Sequence, residues 1–277
     1  MSSGAHTPPR LLSIAGSDSG GGAGIQADLK AFAACGAHGM TAITAITAQN
    51  TEAVTAVYPL PPEAIVGQVR AVAEDIGVDA VKVGMVGTAA AIEAVVEALD
   101  LLPGSVPVVV DPVMVAESGG RLLEPDAERS MRERLVPRAT VVTPNLMEAA
   151  ALAERDTHTD PAELARAVHA IGPRVVVVTG GHREAGGDLF FDGDRLVEIP
   201  GERHPGGAAH GSGCTHSSVL AAQLGRGVEP LEAARRAHVM AAAAVAAGLR
   251  GIGRGPGPVD VLAGVLAPEP SERAARG

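Results

Sequence analysis

The sequence predicts an α/β protein, a three-layer α/β/α sandwich built on a mostly parallel central sheet. Two observations carry that expectation. Short β-rich runs alternate with segments of helical periodicity along the chain, and most of the β-rich runs have no polar face. Strands that are apolar on both sides belong in a parallel sheet covered by helices, because only then are both faces removed from water. A length of 277 residues is enough for one large α/β domain, and no Pro/Gly/Ser-rich stretch is long enough to be a linker. A single domain is therefore expected over residues 1–277, with a short loose segment at about 1–10 and a loose Gly-, Pro- and Arg-rich tail at about 252–277.

The β-rich runs in chain order are LLSIAG (11–16), MTAITAITAQ (40–49), AVKVGMV (80–86), VPVVVDPV (106–113), TVVTP (140–144) and RVVVVTGG (174–181). Segments near 24–35, 62–76, 88–100, 126–135 and 161–171 supply the covering helices. The run DLFFDGDRLVEIP (188–200) differs. It reads as an antiparallel hairpin turning at Asp192 and Gly193. After it come a helix opening at GSGCT and an Ala-rich helix over 230–249, expected to be buried. No repeat at a fixed period is visible.

Composition narrows the function classes. A net charge of −10, with Lys30 and Lys82 as the sole lysines and no basic cluster at either, argues against a nucleic-acid surface. Cys35 and Cys214 lie far apart in a chain without a secretory signal, which suggests reduced thiols in the cytoplasm. An uncharged apolar run of transmembrane length is absent, so a soluble protein off the membrane is expected. With Phe32, Tyr58, Phe190 and Phe191 the full aromatic set, a flat ligand ring must lie against aliphatic or Met side chains. All nine histidines read as surface or loop residues, since none shows metal-ligand spacing.

In open parallel sheets ligands sit beyond the carboxyl ends of the strands. The corresponding segments here are unusually polar or Gly-rich: GSDSGGGAG (16–24), QNT (49–51), GMVGT (84–88), DPVM (111–114) and TPNLMEA (143–149). The most informative stretch is HGSGCTHSSVL (210–220). Gly211 and Gly213 allow a tight turn, and Cys214 then falls in the first turn of a helix. Unpaired amides and the positive helix end would cradle a phosphate and favour a thiolate. The competing reading makes Cys214 a small buried core residue.

Other motifs carry two readings each. GAGIQA (22–27) fits a loose dinucleotide fingerprint, but no acid follows at the ribose position, where Gln49 and Asn50 stand. Asp28 is either a ligand contact or a first-turn acid facing the helix dipole. Asp111 precedes Pro112 at a strand end, with its carboxylate available to magnesium or to a cap. Asn145 and Glu148 could hold phosphate and hydrated Mg²⁺, or form an ordinary capping box. The motifs GxxxxGK[ST], HExxH and GxSxG are missing. Only together with Cys214 do the acids suggest a magnesium-dependent kinase.

Five segments resemble, in order, those of the hydroxymethylpyrimidine/phosphomethylpyrimidine kinases of thiamine biosynthesis, in the ribokinase-like superfamily. They are AGSDSGGGAGIQADLKAF (15–32), TAITAQNT (44–51), VKVGMVG (81–87), VVDPVMVAESGGRLL (109–123) with TPNLMEA, and HGSGCTHSS (210–218). The resemblance implies a ribokinase-like fold and an enzyme that uses ATP and Mg²⁺. It would phosphorylate the hydroxymethyl of 4-amino-5-hydroxymethyl-2-methylpyrimidine and then phosphorylate that monophosphate. It further implies that Asp28 and Gln49 bind the pyrimidine edge near Gly16, with Met85 and Val113 on the ring faces. Cys214 would accept the hydroxymethyl proton, amides of Gly211, Ser212 and Gly213 would hold the transferring phosphoryl group, and Asp111, Asn145 and Glu148 would organise magnesium and phosphates. A homodimer is implied likewise.

Two departures stand out. Many family members have Lys where Thr179 stands in VVVTGGH, so a phosphate contact is lost and the second phosphorylation is the more affected step. Ser19 and Gly20 in GSDSGGG replace the more usual SDPSGG, which changes loop stiffness more than chemistry. Pyridoxal kinase, a non-catalytic pyrimidine sensor and an NAD-dependent oxidoreductase are the competing expectations.

Overall fold

A nine-stranded sheet organises the described residues, which are 7–115, 122–180, 186–202, 204 and 207–263 of the computed structural model. Its strands are β1 (Arg10–Asp18), β2 (His38–Gln49), β3 (Val54–Pro59), β4 (Ala80–Val83), β5 (Val108–Val110), β6 (Val141–Val142), β7 (Val175–Val178), β8 (Asp188–Phe191) and β9 (Leu196–Ile199). They lie side by side in the order β3-β2-β1-β4-β5-β6-β7-β8-β9. From β2 across to β7 neighbouring strands are parallel, while β3 at one edge and the β8–β9 pair at the other add antiparallel. The α/β/α sandwich with a mostly parallel sheet is thus the fold observed.

Among the described residues eight α-helices cover the sheet: α1 (Gly24–Ala34), α2 (Pro62–Asp75), α3 (Ala89–Leu99), α4 (Pro125–Ser130), α5 (Leu146–Ala153), α6 (Pro161–His169), α7 (Ser212–Gly225) and α8 (Pro230–Ala246). The valine runs show why no strand needs a polar side. Val110, Val142, Val176 and Val178 pack with Leu99, Leu135 and Leu164 on one face. Their neighbours Val109, Val141, Val175 and Val177 pack with Phe32, Leu220 and Ala237 on the other. Successive side chains of a strand point to opposite faces, so an unbroken valine run feeds two cores at once.

Several expected elements take a different extent. β4, β5, β6 and β7 are shorter than their β-rich runs, because the distal residues of those runs become the loops at the carboxyl ends, whereas β1 and β2 extend beyond theirs, to Asp18 and back to His38. β3 was not expected; it pairs antiparallel with the far end of β2 and is largely exposed, with Tyr58 at 61 %. The segment 126–135 is α4 followed by a π-helical turn at Met131–Leu135. The hairpin turns as expected, with Asp192 Oδ1 accepting from the amides of Asp194 (3.2 Å) and Arg195 (2.7 Å) and Gly193 at φ +98°. The Ala-rich helix is only half buried: Ala237, Ala241 and Ala244 face inward, and Val239 is exposed.

The tail also departs from expectation. Val259 and Val261 are buried, and the Val259 amide donates to the His210 carbonyl at 3.0 Å, so the chain near 258–261 clamps the segment before α7. Residues 1–6 and 264–277, on which the rest of the expected looseness falls, lie outside the described residues. Because β2 and β4 flank β1 on opposite sides, the connections leaving the sheet diverge there. That divergence opens a crevice at the carboxyl ends.

Candidate active site

A cavity of about 530 Å³ lies at this crevice, within the usual size of a small-molecule site. It is lined by the segments after β1, β4, β5, β6 and β7 and by the start of α7. One half is bordered by Gly16, Gln49, Met85 and Val113; the centre by Asp111, Asn145, Glu148 and Cys214; the far half by Thr179, Asp188, His216 and His238. No Phe or Tyr ring is among the described lining residues.

Two glycines shape the entry to α7 and α1. Gly211 caps α7 at φ +85°, and a Cβ there would collide with the carbonyl of Gly22. Gly24 opens α1 at φ +55°, where a Cβ would collide with the carbonyl of Gly16. Only glycine fits this close approach of the two Gly-rich loops. It brings the Gly24 amide to the Cys214 sulfur.

Successive side chains on α7 tie the helix to three parts of the fold. His216 Nε2 lies 3.1 Å from Asp188 Oδ2, Ser217 Oγ donates to Asp111 Oδ2 at 3.0 Å, and Ser218 Oγ donates to Asp28 Oδ1 at 2.8 Å. Cys214 projects one turn earlier, partly exposed to the cavity. The Ser212 amide is bonded to the Ala209 carbonyl at 2.9 Å and is not part of an open cradle, contrary to expectation. Among the described residues the amides of Gly211, Gly213 and Cys214 have no partner. The anion site of this helix end therefore rests on those amides.

The expected thiolate is also corrected. Burial, helped by the carboxylates of Asp28 and Asp111, pushes the Cys214 thiol up to about 12 against the opposing pull of Lys82 and the Gly24 amide. Cys214 is a neutral thiol in the cavity as it stands. Desolvation at the wall outweighs the helix end.

Asp28 undergoes the largest change of role. It does not line the cavity: its side chain is fully buried, 2.8 Å from Lys82 Nζ and bonded to Ser13 Oγ at 2.6 Å as well as to Ser218. All its acceptor capacity faces inward, so no edge is left for a ligand. Burial works against the Lys82 charge, but the Asp28 carboxylate, by charge and hydrogen bond, and Asp111 outweigh it and hold the ammonium above its usual range. Asp28 positions the lysine, whose charge in turn acts on Cys214 and Asp111.

Asn145 and Glu148 form the capping box. Asn145 Oδ1 accepts from the Glu148 amide and Glu148 Oε2 from the Asn145 amide, both at 2.9 Å. Both nevertheless border the cavity. Burial and then the charge of Asp111 raise the Glu148 carboxyl to about 8, despite the amides of Asn145 and Met114. Burial raises Asp111 too, against Lys82 and Ser217. Two buried carboxyls that resist ionising near each other are a donor set that a hard divalent cation would satisfy. Among the described residues no group of three or more His, Cys, Asp or Glu is placed to hold a metal, so such an ion would complete its shell with ligand oxygens and water.

The dinucleotide reading of GAGIQA fails on geometry. Asp18 takes the amides of Gly20 (2.8 Å), Gly22 (3.0 Å) and Ala23 (2.8 Å), so the loop offers those donors to its own carboxylate and not to a pyrophosphate. His210 Nε2 lies 3.4 Å from the same carboxylate.

Sequence reasoning missed Lys82, Ser217, Asp188, His216 and His238. Lys82 had a signal: a lone lysine within the apolar strand AVKV has no water to reach and needs a buried acid. The histidines had none, since Asp188, His216 and His238 are distant in sequence. They meet because His238 Nδ1 and His216 Nε2 both reach Asp188 Oδ2, at 2.9 and 3.1 Å.

A family model for phosphomethylpyrimidine kinase matches residues 18–260. The chain is 50% identical over 254 residues to the hydroxymethylpyrimidine/phosphomethylpyrimidine kinase of Rhizobium meliloti, covering 90% of this chain and 95% of that protein. Among solved structures it is similar to the pyridoxal kinase of Bacillus subtilis in an ADP complex, with a TM-score of 0.85 and 36% identity over 94% of this chain and 100% of that one. It is similar also to a phosphomethylpyrimidine kinase from Clostridium difficile, with a TM-score of 0.74 and 39% identity over 83% of this chain and 96% of that one. A match over most of the length, with the matched loops converging on one cavity, makes the chain a kinase and a member of the phosphomethylpyrimidine kinase family.

Proposed function

We propose that the protein phosphorylates the hydroxymethyl group of 4-amino-5-hydroxymethyl-2-methylpyrimidine and then the resulting monophosphate, using ATP and Mg²⁺, in thiamine biosynthesis. The observation that carries this reading is the position of Cys214. It borders the cavity between the side of Met85 and Val113 and the acids Asp111 and Glu148, beside the amides of Gly211 and Gly213, which have no partner among the described residues. The first half suits the pyrimidine: Met85 and Val113 supply the flat walls that aromatic residues would otherwise provide, and Gln49 with the backbone at Gly16 faces the polar edge. Asp28 has no part in that contact.

In the central part, Asp111 and Glu148 are the residues that would hold Mg²⁺, with Asn145 bordering the phosphates. The ion would neutralise charge on the nucleotide phosphates. Phosphoryl transfer through a loose transition state requires mainly fixed charge and orientation, so the open amides at the α7 N-terminus stabilise the moving group's oxygens. Proton loss from the alcohol comes late in such a step. Accepting that proton requires Cys214 as the thiolate, the minor form, which the Lys82 ammonium favours against burial and the carboxylates of Asp28 and Asp111.

The same cavity supports pyridoxal as a second substrate reading, favoured by the likeness of this fold to a pyridoxal kinase. Mass spectrometry of products from the hydroxymethylpyrimidine and from pyridoxal, each with ATP and Mg²⁺ and then in competition, separates the two. Monophosphate followed by diphosphate from the pyrimidine is expected. A large preference for pyridoxal would replace the substrate assigned here, and absence of any transfer would leave a binding protein. We place the enzyme in the cytoplasm as a homodimer; no helix among the described residues is long and apolar enough to cross a membrane. The net charge of −10 supports the absence of a nucleic-acid partner.

A further inference from the structure

Every second residue from 251 to 257 is glycine, in the stretch RGIGRGPGPVD (250–260) that follows α8. This strap joins two loops that carry site residues. At one end it meets the turn between β2 and β3: the Gly255 amide donates to Thr51 Oγ1 at 3.2 Å, and Arg254 Nε and Nη2 donate to Glu52 Oε2 at 3.0 and 2.6 Å. At the other end Pro258 lies beside His210 in a parallel bridge, and the Val259 amide donates to the His210 carbonyl at 3.0 Å. His210 immediately precedes the Gly211 turn into α7. The strap is itself anchored, because the Leu249 amide donates to the Pro258 carbonyl at 2.9 Å and the Asp260 amide to the Ala244 carbonyl of α8 at 3.0 Å.

Thr51 explains two of the glycines. A Cβ on Gly253 would overlap the Thr51 side chain, and one on Gly255 would overlap the Thr51 carbonyl oxygen. The turn needs such a hold, since β3 is an edge strand with Thr55, Val57, Tyr58 and Pro59 exposed and little core beneath it. Asn50 Oδ1 accepts from the amides of Glu52 (2.9 Å) and Ala53 (3.0 Å), so the turn is closed on itself and moves as one piece. Thr51 does not line the cavity, but Gln49 does, two residues earlier. Ser19 Oγ holds Gln49 from the other side, accepting from its amide at 2.9 Å and donating to its carbonyl at 2.6 Å.

We infer that Thr51, gripped by the glycine strap, is a positioning residue for the pyrimidine: it sets where Gln49 stands relative to the first turn of α7, and so where the ring edge stands relative to Cys214. The inference rests on the reading that a pyrimidine occupies the Gln49 side of the cavity. Nothing in the strap touches the far half, where Thr179 and Asp188 stand, so the nucleotide is not expected to sense it.

The test is steady-state kinetics of the full chain with the pyrimidine and ATP varied in turn, alongside thermal melting. Thr51→Val keeps the shape and removes the acceptor of the Gly255 amide; it is expected to raise the pyrimidine KM about three- to tenfold and to leave the ATP KM within about twofold. Thr51→Ser, which retains the acceptor, should restore the parent value. Gly255→Ala should raise the pyrimidine KM further by displacing the Thr51 backbone; should it fail to fold, the comparison of Val with Ser decides. Arg10→Ala, which breaks the ion pair with Asp79 at the amino end of β1, should lower the melting temperature without moving the pyrimidine KM. An unchanged pyrimidine KM in Thr51→Val, or a rise of both KM values together, overturns the inference. Absence of transfer to the pyrimidine by the parent removes the substrate reading and this role with it, whereas transfer that is insensitive to Thr51 removes this role alone.

Discussion

The Lys82 ammonium lies 2.8 Å from the Asp28 carboxylate with neither side chain exposed, and its charge acts on the Cys214 thiol at the cavity. An ion pair so placed joins the stability of α1, β4 and α7 to the electrostatics of Cys214.

Removal of one partner should therefore act on folding before it acts on substrate. Lys82→Met or Asp28→Leu leaves an uncompensated buried charge and is expected to lower unfolding free energy by about 3–5 kcal/mol, while the double replacement recovers much of that loss. Urea unfolding of the three variants checks this. An Asp28→Leu protein of unchanged stability that has lost only pyrimidine affinity would return Asp28 to the ligand.

Cys214 should behave as an unactivated thiol in the ligand-free protein. With its thiol near 12, alkylation by iodoacetamide should be slow at pH 7 and should climb about tenfold per unit well past pH 9. Peptide mapping distinguishes it from Cys35, whose thiol burial also raises. Fast labelling at pH 7 would mark the thiolate that the helix end alone predicts.

Turnover should still depend on that side chain. Cys214→Ser is expected to keep pyrimidine KM within a few-fold and to lower kcat by about two to four orders of magnitude, because a serine hydroxyl ionises far less readily than the minor thiolate form that accepts the proton. Steady-state kinetics with the pyrimidine varied at saturating ATP measures both, and unchanged kcat would take the cysteine out of the reaction.

Glu148 sets a pH dependence on the ligand-free protein. A carboxyl raised to about 8 in the folded state binds its proton more tightly folded than unfolded, so its contribution is full below the ordinary glutamate range and is lost as pH rises to about 8. Glu148→Gln keeps the capping box and removes the titration. The variant should melt higher than the parent at pH 8.5 and alike at pH 5, and should lose the stabilisation that Mg²⁺ with ATP confers on the parent. Parallel melting curves at both pH values would contradict the assignment.

Thr179 borders the cavity at the position where the family resemblance leads one to expect lysine. Thr179→Lys should lower the KM for ATP and speed the second phosphorylation more than the first, because the second acceptor is itself an anion. Product ratios by mass spectrometry over time report this, and equal effects on both steps would separate Thr179 from the acceptor phosphate.

Local sequence determined the sheet, the loops that carry the chemistry and the turn into α7. Valine runs without a polar face can only be buried on both sides, and glycines at 24 and 211 stand where a side chain would strike another chain segment. The segments that carry Gly16, Gln49, Met85 and Val113 were legible because parallel strands bring their carboxyl-end loops to one edge of the sheet, and the family resemblance singled out these four residues within them. Charge was not legible in this way. Whether Asp28 faces a ligand or Lys82, whether Cys214 is thiol or thiolate, and whether His216 and His238 are surface residues depend on what lies across the fold at distances of about 3 Å and on how much water has left. Partners such as Asp188 and His238 come together through packing of α7 and α8 against the sheet. Ionisation energies follow that three-dimensional neighbourhood, which only the tertiary structure decided.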